Sequence, residues 1–145
     1  MECNADVAVA TALGVSRDRI EHAYDKGRVC KKSAEDREAV GLVDEDPGVG
    51  QPRYLEKLKV ASDAHGVRCL NEGNRLKIVV LCPRLEDWLG QGAKDAGLDL
   101  GSYRFDRGAL HAQMGDNPNS LKELVQELLS RESPRVLRLR ESLAS

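Results

Sequence analysis

At 145 residues, with 41% hydrophobic and 32% charged residues, the chain has the length of one domain and the composition of a globular protein, which excludes a disordered polyelectrolyte. The net charge of −2 neither demands nor excludes a nucleic-acid partner, so anion binding has to come from a local patch. The longest apolar runs, such as residues 78–82, fall short of the roughly 20 residues of a membrane span, and no basic-then-apolar leader is read at the start. A cytoplasmic protein without membrane association is therefore expected.

In chain order, Asn4 is a suitable N-cap and Asp6 lies in the first turn of a predicted helix over residues 5–13, with Gly14 as its left-handed stop. A short strand is read around residues 19–22. Residues 26–36 form an amphipathic helix with Val29, Cys30 and Ala34 inward and Lys31, Lys32 and Glu35 outward. Residues 39–43 read as a buried strand that stops at Asp44-Glu45-Asp46-Pro47-Gly48, and Gly48, Gly50 and Pro52 keep the next segment in a loop. Residues 54–64 read as a helix ended by Gly66, and residues 67–70 as a strand. Residues 76–82 give the clearest strand: Ile-Val-Val-Leu-Cys lacks polar alternation, as in a central strand covered on both faces. Helices follow over residues 85–96, 107–114, 118–130 and 134–143. In the third of these, Asn117 is the cap, Pro118 the first turn, and Leu121, Leu124, Val125, Leu128 and Leu129 the apolar stripe. Strands alternating with helices predict an α/β layer architecture.

The acidic turn carries the most chemistry. Ligands of open α/β sheets gather at the carboxyl edge of the strands, which is where Asp44 and Asp46 stand. Alternate residues of an extended segment point the same way, so both carboxylates face one point and Glu45 turns aside. Converging carboxylates need a cation or a proton between them, and Mg²⁺ takes one or two carboxylates with water and phosphate oxygens. The same Asp-rich turn before Pro-Gly also serves as a helix cap or solvated loop.

Three segments resemble the Toprim domain, the catalytic module of topoisomerases, primases, OLD-type nucleases and small ribosomal-RNA maturation nucleases. Glu2-Cys3-Asn4-Ala5-Asp6, opening a helix, looks like the family's leading motif. Val40-Gly41-Leu42-Val43-Asp44-Glu45-Asp46-Pro47-Gly48 looks like its apolar strand ending in Asp-x-Asp. Leu81-Cys82-Pro83-Arg84-Leu85-Glu86-Asp87-Trp88-Leu89 resembles a strand running into Pro, an acidic residue and Trp-Leu in small bacterial members. The likeness spans roughly residues 1–97; in the family a full strand precedes the leading Glu, whereas only Met1 precedes Glu2 here. It implies a small Toprim-like (Rossmann-like), mostly parallel sheet flanked by helices: residues 1–115 the α/β domain, residues 116–145 its helical C-terminal extension. It further implies Glu2 as an acid/base or metal-positioning group, Asp44 and Asp46 as ligands of Mg²⁺ (or Mn²⁺), and phosphotransfer activity, a nuclease on DNA or RNA. Asp6 and Glu86 are further acidic residues near that edge; Glu86 also suits a helix first turn, and Trp88 a core anchor beside Leu85 and Leu89.

Lys26, Arg28, Lys31 and Lys32 form a basic stretch able to hold phosphates, or a solvated helix face balanced by Asp25, Glu35 and Asp36. His22 reads as structural, and His65 and His111 have no assigned role. Arg131, Arg135, Arg138 and Arg140, interleaved with Val136, Leu137, Leu139 and Leu143, form an amphipathic segment expected to dock on the domain, with a partner subunit or nucleic acid as the alternatives; a protein partner or a homo-oligomer is the wider expectation for the chain. Cys3, Cys30, Cys69 and Cys82 lie far apart without a C-x-x-C pair and are expected as reduced thiols, not zinc ligands. One Trp, one Phe and three Tyr offer few stacking platforms for single strands. Phosphate-loop, dinucleotide, G-x-S-x-G and H-E-x-x-H signatures are absent. A non-catalytic binding module or subunit that keeps the fold is the alternative to the enzyme.

Overall fold

The structure, a computed structural model, describes residues 4–16, 20, 25–47, 51–103, 105 and 116–144, with the side chains of residues 4–6 excepted. Its centre is a four-stranded sheet in the order β1-β4-β3-β2, with β1 Gly41–Asp44, β2 Lys59–Ala64, β3 Val67–Glu72 and β4 Arg75–Leu81. The helices are α1 Asn4–Ala12, α2 Lys26–Glu35, the single turn α3 Arg53–Glu56, α4 Leu85–Asp95, α5 Pro118–Ser130 and α6 Pro134–Ala144, with a short 3-10 helix at Leu100–Tyr103.

The unbroken apolar run of β4 reflects burial on both faces. Val79 and Leu81 join one core with α1, α4, α5 and α6, while Ile78 and Val80 join a second core with α2 and α3. Alternate side chains of a strand point to opposite faces, so two cores require both sets to be apolar. β1 divides the same way, Leu42 to the first core and Val43 to the second. Gly41 lets α2 lie close, because a Cβ there would come within 2.6 Å of Val29 and 2.8 Å of Ile78.

The sequence predicts a mostly parallel sheet, and the sheet is mixed instead. β1 pairs in parallel with β4, with Asp44 opposite Leu81, whereas β4–β3 and β3–β2 are antiparallel. Part of the difference arises at the short turn between Glu72 and Arg75, which folds β4 back on β3, and part at residues 54–64, predicted as one helix. Only α3 is helical there, and Lys59–Ala64 forms an edge strand, with Val60 60% exposed. Lys, Leu and Ala favour a helix in isolation, but pairing with β3 overrides that preference. His65 and Gly66, at φ 56° and 72°, form the two-residue turn between the strands, so Gly66 closes a hairpin and not a helix.

That turn is tied to the main core. Trp88, 1% exposed, donates its indole N–H to the His65 carbonyl at 2.9 Å, which bears out its reading as an anchor. The predicted helices over residues 5–13, 26–36, 85–96, 118–130 and 134–143 agree with the structure to within one residue at each end. Two details differ. In α2, Ser33 is buried and Ala34 is exposed, because Ser33 donates to the Lys77 carbonyl at 2.8 Å. The Asn117 side chain makes no capping hydrogen bond to α5. The apolar stripes of α5 and α6 pack into the first core, so the C-terminal segment docks on the sheet. The predicted helix over residues 107–114, and the predicted strand around residues 19–22 apart from Ile20, lie outside the described residues. Among the described residues, no helix is long and apolar enough to cross a membrane.

Lys77, only 4% exposed, holds the far end of α2. Its ammonium donates to the carbonyls of Ser33 and Asp36 at 3.0 Å and of Arg37 at 3.3 Å, where the helix leaves carbonyls without intrahelical partners. Replacing Lys77 with Met is expected to destabilise the fold by about 1–3 kcal/mol, the cost of leaving such groups unsatisfied, as read from urea unfolding. A Cβ at Gly66 would lie 2.6 Å from Trp88 and 2.7 Å from Arg135 at a positive φ. Gly66→Ala is expected to lower stability by more than the roughly 1–2 kcal/mol of the backbone strain alone, measured by thermal unfolding.

Candidate functional site

The site forms where β1 and β4 end side by side. Beyond the strands, the Glu45 amide donates to the Leu81 carbonyl at 2.9 Å and the Asp46 amide to the Pro83 carbonyl at 3.0 Å. The acidic turn is therefore bound to the cis Cys82–Pro83 link that leads into α4. Asp46 adopts φ 47°, a left-handed conformation that Asp tolerates better than most residues. The strand thus ends in a turn at Asp44, as the sequence predicts, but Asp46 does not keep the extended geometry expected to align it with Asp44.

Both predicted carboxylates take partners at the start of α4. Buried Asp44 accepts the Leu85 amide at 3.2 Å, and Asp46 accepts from Arg84 Nε at 2.8 Å. Arg84 is the N-cap position of α4 and makes no side-chain cap itself, so Asp44 takes over that function from another element. The positive end of the helix favours the anion. Glu86, in the same first turn, occupies the position where a carboxylate complements the dipole.

Glu45 turns elsewhere, to Arg68 on β3 at 2.9 Å. Lys26, at the start of α2, donates to the Glu45 carbonyl at 3.0 Å and to the side chain of Gln51. Gln51 in turn donates to the carbonyls of Glu45 and Asp46 at 3.0 and 3.3 Å. Lys26 therefore belongs to the acidic turn, while Arg28, Lys31 and Lys32 lie on the exposed face of α2, with Arg28 paired to Asp25 at 3.3 Å. Glu2 lies outside the described residues, as does the side chain of Asp6. His22 and His111 are outside them too.

Arg68, Arg84 and Gln51 are neighbours of the acidic turn that the sequence did not single out. Arg84 was detectable as the residue next to the predicted helix start. Nothing local marks Arg68, which reaches the turn from two strands away.

The electrostatics follow from this wiring. Hydrogen bonding to Asp46 pushes the Arg84 guanidinium above its ordinary range. Burial works against the charge on Arg68, but its bonds to Asp63 and Glu45 outweigh that and leave it raised. Burial also pushes the Cys82 thiol up to about 11, with Arg68 opposing and Glu45 and Asp63 reinforcing.

Carboxylates at a strand end are the type of ligand that Mg²⁺ takes with water and phosphate; here Asp44 and Asp46 each already accept a hydrogen bond from the start of α4. Among the described residues, no three His, Cys, Asp or Glu side chains group to hold a metal ion. Comparison with protein-family models, curated proteins and solved structures found no match.

A thiol with a raised pKa stays protonated, and unreactive, until the pH approaches that value. Cys82 is expected to react with iodoacetamide at pH 8 about a hundredfold more slowly than an ordinary cysteine. Its rate should keep rising with pH towards about 11, followed by mass spectrometry.

Proposed function

We propose that this chain is a Toprim-like, Mg²⁺- or Mn²⁺-dependent phosphotransfer enzyme, a nuclease that hydrolyses DNA or RNA phosphodiesters. The observation that carries the reading is the convergence of Asp44 and Asp46 on Arg84 and Leu85, at the carboxyl edge of the parallel strand pair. This is the position where α/β sheets place their ligands. Asp44 and Asp46 would hold the ion, with Glu2 as acid/base or metal-positioning group from the motif likeness. A divalent ion in such a site polarises a phosphoryl oxygen and lowers the pKa of bound water.

The chain's own groups set the rest. The hydrogen bond from Leu85 orients Asp44. Arg84, presently neutralising Asp46, is available to pair with a phosphate oxygen as Asp46 turns to the ion. Lys26, Arg28, Lys31 and Lys32 would orient the backbone of the nucleic acid by charge. A cytoplasmic location and association with a protein partner or a second copy belong to the same reading.

A second reading, a non-catalytic subunit of the same fold that binds nucleic acid or protein, is favoured by one observation. Both carboxylates already have partners in the protein: Asp46 a guanidinium, Asp44 a helix amide.

Titration with Mg²⁺ or Mn²⁺ by calorimetry, paired with a phosphodiester cleavage assay, separates the two. The enzyme reading expects saturable heat and metal-dependent cleavage, both lost in Asp44→Asn/Asp46→Asn with the fold kept by circular dichroism. Cleavage retained in that double variant removes the mechanism. No heat and no cleavage by the unaltered chain selects the subunit.

A further inference from the structure

The opposite edge of the sheet carries a concavity of about 630 Å³, lined by Ala34, Arg37, Glu72, Asn74, Arg75 and Lys77. Arg75 opens β4 and Leu81 ends it, so about 20 Å of strand separate this concavity from the acidic turn. Its volume lies in the range of small-ligand sites. We propose that it binds a small phosphate-bearing anion.

Among the described residues six arginines pair with carboxylates, four (Arg37, Arg53, Arg75 and Arg140) do not, and two of those four meet at this place. Arg28, Arg68, Arg84, Arg131, Arg135 and Arg138 each pair with a carboxylate. Arg37 and Arg75 form no such pair among the described residues, although they line one concavity. Glu72 sits opposite Arg75 in the β3–β4 ladder without an ion pair to it. Among the lining residues, the Arg37 and Arg75 guanidinium groups face a single carboxylate, Glu72, while the Lys77 ammonium is bound to backbone carbonyls.

The Arg75 guanidinium is also held in place before any ligand arrives. Arg75 Nη1 donates to the Arg37 carbonyl at 2.9 Å, and the Lys77 ammonium reaches the same carbonyl at 3.3 Å. Burial of Lys77 thus fixes the segment that follows α2, and with it the base of the Arg37 side chain. Planar guanidinium forks match phosphate oxygens in a bidentate manner, with more directionality than an ammonium. The Asn74 amide adds a donor for a neutral oxygen of the ligand.

The ligand class follows from the lining, which has no aromatic residue and no apolar residue beyond Ala34. Affinity must therefore come from charge-assisted hydrogen bonds, which favours a compact anion with several phosphate oxygens over an aromatic or lipidic molecule. This inference stands apart from the nuclease reading, because it uses neither the acidic turn nor a metal.

Pyrophosphate is the probe, titrated into the ¹⁵N-labelled chain at constant ionic strength and followed by NMR of backbone amides and arginine Nε. Saturable shifts are expected at Arg37, Asn74 and Arg75, and not at Arg28, Lys31 and Lys32. Arg37→Gln, whose side chain makes no hydrogen bond among the described residues, should weaken binding by about tenfold with an otherwise unchanged spectrum. Arg75→Gln should do the same. Absence of saturable shifts, equal shifts along the outer face of α2, or unchanged affinity in both variants would overturn the assignment.

Discussion

The carboxylate of Asp44 cannot be buried without a hydrogen-bond partner, and the bond it makes to α4 determines where the acidic turn lies. Its acceptor oxygen receives the first amide of α4, so a strand end and a helix start become a single joint. Leu85, Trp88 and Leu89 then bury the near face of α4 in the main core. Displacing the turn would expose a helix terminus and disturb that packing together. The position of Asp46 is a consequence: once α4 begins at this joint, Arg84 comes to lie beside the turn and pairs with it.

The two ends of the parallel pair have opposite character. At the carboxyl end, Asp44, Glu45 and Asp46 meet Lys26, Arg68 and Arg84, so the acidic turn is already matched by cations within the protein. The divalent ion proposed for this turn would have to displace a guanidinium, so its binding would be coupled to rearrangement of the Arg84–Asp46 pair. At the amino end, Lys77 is spent on the carbonyls of α2, and two arginines remain without carboxylate partners. α2 connects the ends, with Lys26 at the turn and its last carbonyls on Lys77. Its length therefore fixes the distance between the two charged regions.

Much of this was legible in the chain. The central position of β4 follows from Ile78–Leu81 lacking polar residues, and the limits of α5 follow from Pro118 and a five-residue apolar stripe. The acidic turn at a strand end was equally readable, because an apolar run stopped by Asp-Glu-Asp-Pro leaves few other arrangements. The alternative role of such a turn, as a helix cap, is the one that Asp44 fulfils, although towards a helix 41 residues away. β2 was not legible. Its Lys, Ala and Ser residues carry no strand pattern, and its exposed edge position removes the burial that would have produced one.

By itself, the sequence determined which segments are apolar enough to be central, where most helices stop, and that Asp44 and Asp46 stand at a strand end. These are properties of neighbouring residues, set by side-chain periodicity, caps and turn chemistry over a few positions. Only the tertiary structure decided the mixed strand order, the edge hairpin, and the cations that answer the acidic turn. Those depend on contacts between residues far apart in the chain, such as Arg68 with Glu45 or Lys77 with Arg37, for which no local pattern selects a partner.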